Sequence, residues 1–157
     1  MNIRFRLYDD GLGFRYEFPR QHSLAYFFIE EELTEFNLGT DCSSFWIPGD
    51  YDSNEFVYQK SRLSNLSDVL VRARKSMDSK TIIDDRSVQT PVLFRNENGI
   101  YINIHEAALK DYPSMCLTLQ EGTYTFKANL TPDPKGYKGR IQSDFNTCLL
   151  YTSDAAD

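Results

Sequence analysis

The 157-residue chain sets 17 Lys and Arg against 23 Asp and Glu, a net charge of −6, so it has no basic face for phosphate neutralisation and nucleic acid is excluded as a partner. Hydrophobic residues make up 41% and charged residues 25%, the profile of a single globular domain with a core, and no apolar run reaches the ~20 residues of a membrane span. Aromatic residues reach 14%, mostly Tyr and Phe, which favours strands over helices.

In chain order, Asn2 to Tyr8 puts Ile3, Phe5 and Leu7 on one face and Arg4, Arg6 and Tyr8 on the other. Asp9-Asp10-Gly11 is a turn, after which Phe14, Tyr16 and Phe18 resume the alternation until Pro19, predicting a hairpin. A third strand is expected over Ala25 to Glu30 and a short one over Glu35 to Leu38. Cys42 to Asn54, rich in Ser, Gly, Pro and Asp around Trp46, reads as a loop, and Phe56 to Gln59 as a short strand. Leu66, Val69, Leu70 and Ala73 recur at helical spacing and predict a short surface helix within Leu63 to Ala73. Pro91 to Phe94, the Asn96-Glu97-Asn98-Gly99 turn and Ile100 to Ile104 form a second hairpin. Met115, Leu117 and Leu119, the turn at Gln120-Glu121-Gly122, and Tyr124 to Leu130 form a third. Hairpins with almost no helix predict an all-β fold, an antiparallel β-sandwich.

Cys42, Cys116 and Cys148 are odd in number and follow no metal spacing; Cys42 and Cys116 are expected to be buried thiols rather than a disulfide pair. The opening Met-Asn-Ile-Arg-Phe-Arg alternates like a strand and has no signal-peptide core, so Met1 is not expected to be the native start. Cys148 to Asp157 breaks the preceding pattern and reads as the translation of a sequencing adapter, which would make 148–157 a non-native tail.

Four stretches carry a family resemblance. They are Tyr8-Asp-Asp-Gly-Leu-Gly-Phe-Arg-Tyr-Glu-Phe-Pro19, Glu32-Leu-Thr-Glu-Phe36, Trp46-Ile-Pro-Gly-Asp-Tyr-Asp52 with Glu55, and Thr90-Pro-Val near Gly99-Ile-Tyr-Ile-Asn-Ile-His-Glu-Ala-Ala-Leu-Lys-Asp-Tyr-Pro-Ser-Met115. In order and spacing the chain resembles the N-terminal domain of glycoside hydrolase family 97 from about residue 2 to 147. The resemblance implies a super-sandwich, galactose-mutarotase-like and incomplete here. In the family it is followed by a (β/α)8 barrel that cleaves α-linked sugars and by a small β-domain. It also implies a parent enzyme that is exported (periplasmic or outer-membrane-associated), uses Ca2+ at its active site and acts on an oligosaccharide substrate. The barrel, with the acid and base carboxylates, is the missing partner domain, so no catalytic residue is expected in this chain, and it should be inactive alone.

Glu106 is the leading candidate for chemistry. Ile100, Ile102 and Ile104 set a buried parity that Glu106 continues where the strand ends, and a carboxylate there sits at a rim or is paired. Calcium prefers hard carboxylate oxygens, although a capping or surface role for Glu106 is open on the residues alone. The resemblance makes the glutamate of this His-Glu-Ala motif a calcium ligand. His105, on the opposite parity, is expected to support it, with no Ser or Cys nucleophile in view.

Asp50-Tyr-Asp-Ser-Asn-Glu55 starts like an EF-hand loop but has Glu55 where Gly is needed and Ser61 where the bidentate Glu belongs, so that match fails. Trp46 and Tyr51 offer either a sugar-stacking face or core packing. Glu30, Glu31, Glu32 and Glu35 suit a solvated strand end better than a catalytic pair. Asn65-Leu-Ser and Asn129-Leu-Thr are formal glycosylation sequons. Two further readings stand beside the α-glycosidase fragment: a stand-alone carbohydrate-binding β-sandwich module, and a structural β-domain with no ligand.

Overall fold

The computed structural model describes residues 1–19, 22, 27–29, 31–107, 109, 112–132, 140–141 and 148–153. In chain order its strands are β1 (Asn2–Leu7), β2 (Leu12–Phe18), β3 (Phe27–Phe28), β4 (Glu35–Asn37), β5 (Ser43–Trp46) and β6 (Gln59–Arg62). A 3-10 turn (Leu63–Asn65) leads into helix α1 (Leu66–Arg74). Then come β7 (Ser87–Gln89), β8 (Val92–Arg95), β9 (Tyr101–Ile104), β10 (Met115–Leu119), β11 (Thr125–Leu130), β12 (Arg140–Ile141) and β13 (Cys148–Ser153). The described pairings are antiparallel, and the all-β expectation holds.

The chain divides into two compact units, one of residues 1–31, 105–114 and 130–157, the other of residues 32–104 and 115–129. In the first, β1 pairs with β2 in the register Ile3 to Tyr16, Phe5 to Phe14 and Leu7 to Leu12, and β13 adds to the other side of β2. Period-two alternation therefore collects the apolar side chains on one face, with Phe5 and Phe14 ring centroids 6.0 Å apart. Arg4, Arg15 and Glu17 share the other face, where Glu17 is buried and its Oε1 receives Arg4 Nε at 3.0 Å and Arg15 Nη2 at 2.6 Å. β3 and β12 form a separate two-stranded pair.

The second unit holds two four-stranded sheets, ordered β4-β11-β10-β7 and β6-β5-β8-β9. Their inner faces share a core in which Phe94 of β8 meets Phe126 of β11, ring centroids 5.3 Å apart, both fully buried. Leu63, Leu66 and Leu70, spaced three and four apart, turn one side of the 3-10 turn and α1 into this core. The predicted helix is thus present, closed at its C-terminal end by Arg72 and Arg74, with Arg74 paired to Asp85.

Two expectations need correction. Cys42 to Asn54 is not simply a loop, because Ser43–Trp46 is β5, paired on both sides with β6 and β8. Its serines are typical of loops, yet the buried Ser44 hydroxyl is satisfied by the Ser61 carbonyl at 3.0 Å. The strand expected at Phe56 to Gln59 lies further along, at Gln59–Arg62, where Ser61 can serve β5. Of the strand expected over Ala25 to Glu30, Phe27–Phe28 is seen, and residues 23–26 and 30 lie outside the described set. Cys42 and Cys116 are buried free thiols, as expected.

Candidate functional site

A hydrogen-bonded polar constellation follows directly on β5. There the chain leaves one sheet of the second unit and runs beside β7 of the other, with Pro48 bridged to Val88 and Asp50 to Ile82. Gly49 N–H donates to Ser87 O at 2.7 Å, Gln89 N–H to Ile47 O at 3.1 Å, and Ile83 N–H to Gly49 O at 2.9 Å. This approach requires glycine: a Cβ on Gly49 would stand 2.7 Å from Ser87 Cβ and 2.9 Å from its carbonyl carbon. β7 ends at Gln89 and β8 begins at Val92 in the other sheet, with a cis Thr90–Pro91 peptide between them.

The crossing carries Asp50 inward until it is only 5% exposed. Its carboxylate accepts the backbone N–H groups of Asp52 at 2.8 Å and Ser53 at 2.9 Å, the Thr81 hydroxyl at 2.7 Å and the Ser79 hydroxyl. Burial pushes this carboxyl up, but the Ser79 and Thr81 hydroxyls and the two backbone donors outweigh it and hold it below 3.8. Asp50 thus ties together two loops, 52–58 and 75–81. Their facing walls enclose an open cleft of about 700 Å3.

Tyr51, the next residue, donates its hydroxyl to Asn129 Oδ1 at 3.0 Å. Asn129 in turn donates to Thr118 Oγ1 at 3.1 Å, which lies 2.6 Å from Ser87 Oγ. Burial raises the Tyr51 hydroxyl above its usual 10.0, partly offset by Asn129. With its amide engaged on both sides, the Asn129 sequon is part of this hydrogen-bonded chain, whereas Asn65 is exposed in the 3-10 turn.

The residues singled out in the sequence scatter. Trp46 is fully buried, with Nε1 donating to Ser61 Oγ at 2.9 Å, so its ring packs the core and offers no sugar-stacking face. Glu32 is buried and accepts the Thr34 hydroxyl at 2.7 Å, while Glu31 and Glu35 are exposed and Glu30 lies outside the described residues. Glu106 is half-buried two positions beyond β9, and His105 beside it is exposed. The parity behind Glu106 rests on Ile102 and Ile104 alone. Ile100 is 57% exposed at the mouth of the β8–β9 turn, its N–H held by Asn96 Oδ1 at 2.9 Å.

Among the described residues no three His, Cys, Asp or Glu side chains converge as a metal site. Among the described residues Glu106 joins no such cluster, and its carboxylate is of the hard oxygen type that calcium takes. Sequence reasoning missed the Asp50 network. Its short-range half was visible, since Asp50 with Asp52 and Ser53 is an Asx-turn pattern. Ser79 and Thr81 are about thirty positions away and carry no local signal.

The structure is similar to that of a glycoside hydrolase family 97 enzyme from Pseudoalteromonas sp. strain K8 in complex with acarbose, at 32% identity and a TM-score of 0.70. An arginine-to-lysine variant of that enzyme gives 0.72, and a glutamate-to-glutamine variant in complex with panose gives 0.70, both at 32% identity. Each match covers 95% of this chain and 20% of the other, so the chain spans about a fifth of the length of these enzymes. The glycosyl-hydrolase 97 N-terminal family model matches residues 1–148, and the chain belongs to that family.

Proposed function

We propose that this chain is the N-terminal β-domain of a calcium-dependent, exported α-glycosidase, an α-glucosidase rather than an α-galactosidase, with residues 148–157 outside the native domain. The observation that carries the reading is the family match over residues 1–148 together with 32% identity across 95% of the chain. The sugar preference is supported by the acarbose and panose bound to the similar enzymes, both built from α-linked glucose-type rings.

In this reading the sandwich has no hydrolytic role of its own. Glycoside cleavage needs two carboxyl groups set across one bond, and these belong to the barrel of the parent. The chain contributes Glu106, a half-buried carboxylate that offers one oxygen toward calcium at the barrel mouth. When bound, the ion supplies fixed positive charge near the scissile bond. Glu106 would be one of the residues holding the ion, and His105 flanks it in sequence.

The test uses the complete enzyme and its Glu106→Gln variant. Gln keeps the size and removes the charge, so calcium affinity should fall about tenfold or more and turnover of a nitrophenyl α-glucoside should fall with it, at unchanged melting temperature in excess EDTA. Equal calcium affinity and turnover in the two proteins would leave Glu106 structural. Faster hydrolysis of the α-galactoside than of the α-glucoside would reverse the sugar preference. The 157-residue chain alone should hydrolyse neither.

A further inference from the structure

The cleft beside Asp50 is not required by the role assigned to Glu106, and its lining is chemically specific. It lies wholly within the second unit, walled by 52–59 on one side and 76–81 on the other. Its volume of about 700 Å3 falls in the roughly 300–1,000 Å3 range of small-molecule sites. The walls are held by the buried Asp50 carboxylate, which bonds to both loops, and by Tyr51 N–H to Thr81 O at 3.2 Å. The Gln89 side-chain amide adds a bond to Ser53 O.

Four charged side chains line this cleft: Asp52, Glu55, Asp78 and Lys80. Among the described residues none of them has a side-chain hydrogen bond or ion pair. They offer three strong acceptors and one donor, beside an apolar surface from Phe56, Val57 and Met77. Three carboxylates against one ammonium leave two negative charges in excess, which disfavours phosphates and acidic ligands. A metal ion is disfavoured because no three carboxylate, His or Cys groups converge among the described residues. A neutral polyol suits all of these features: its hydroxyls donate to carboxylates in charge-assisted bonds, and its C–H face lies on the apolar wall.

We propose that this cleft is an accessory carbohydrate site that takes a neutral oligosaccharide, separate from the residues that hold calcium. The choice of an α-linked glucan as the ligand rests on the glycosidase reading above. The site would hold substrate weakly beside the catalytic domain and raise its local concentration.

The test is an amide-resolved NMR titration of the 157-residue chain with maltotriose and, separately, with calcium chloride. These 157 residues span about a fifth of the similar enzymes, so the titration reads this domain by itself. Maltotriose should give saturable shifts confined to residues 52–59 and 76–81, with a dissociation constant on the order of millimolar. Asp52→Asn combined with Glu55→Gln should weaken it roughly tenfold, whereas Glu121→Gln, on the β10–β11 turn, should not change it. The amide spectrum itself reports whether each variant is folded, and Phe56→Ala is a second, uncharged probe of the same wall. No saturable shift, shifts elsewhere, undiminished affinity in the double variant, or a response to calcium alone at these residues would overturn the proposal. Hydrolysis by the complete enzyme is measured in parallel. An active enzyme with a silent cleft sinks only this inference, and an inactive enzyme with a binding cleft sinks only the glycosidase reading.

Discussion

β1 and β11 are six-residue strands of the same grammar. In β1, Ile3, Phe5 and Leu7 alternate with Asn2, Arg4 and Arg6; in β11, Phe126, Ala128 and Leu130 alternate with Thr125, Lys127 and Asn129. Their environments differ completely. Every residue of β1 is exposed, with Phe5 at 63% and Leu7 at 81%, whereas Phe126, Ala128 and Leu130 of β11 are all buried. Alternation declares which face is meant for burial, but a second layer must arrive to bury it. β11 lies between β4 and β10 and sets Phe126 against Phe94, while β1 has a described strand partner on one side, β2.

The comparison is broken or sharpened most strongly by truncating equivalent rings. Phe126→Ala should cost about 3–5 kcal/mol, because it removes a fully buried ring from between two sheets. Phe5→Ala should cost under about 1 kcal/mol, since the ring is already in water. Urea denaturation of both variants decides it, and similar losses would mean that β1 is packed as tightly as β11.

Glycines give the next contrast. Gly49→Ala drives a Cβ into the Ser87 backbone and should cost about 1–3 kcal/mol, whereas a Cβ on Gly11, in the β1–β2 turn, meets nothing within 4 Å. Gly11→Ala should shift the denaturation midpoint little, and a large shift there would show that the hairpin turn is more constrained than its open surroundings indicate.

Asp50→Ala strands several donors at once and should cost about 2 kcal/mol. It carries a pH signature as well. The native carboxyl titrates below 3.8, so as pH falls the unfolded chain binds the proton first. The stabilisation is present above 3.8 and is lost as pH falls through the lower native value. Melting curves taken from neutral pH downward should show that loss in the parent sequence and lack it in Asp50→Ala. Trp46→Phe, which keeps a buried ring and removes the bond to Ser61, should cost about 1 kcal/mol.

Much of this protein was legible in one dimension. Strand parity, the turns at Gly11, Gly99 and Gly122, the amphipathic Leu66 to Ala73 segment and the free thiols follow from local chemistry, since each depends on neighbours a few positions away. The family, too, was readable from ordered motifs, and the match over residues 1–148 bears it out. What sequence could not supply was anything whose partner is distant. Ser43–Trp46 looked like loop because the group that satisfies Ser44 and Trp46 is Ser61, on another strand. Asp50 looked like a failed calcium loop because half of its donors sit in residues 79–81. Trp46 could have been a sugar platform or core, and only the layer closing over it decided. Local pattern specifies how a segment hydrogen-bonds and which face it would bury. Which polar group is satisfied, and which face is actually covered, depends on segments far away in the chain, and only the tertiary structure brings these together.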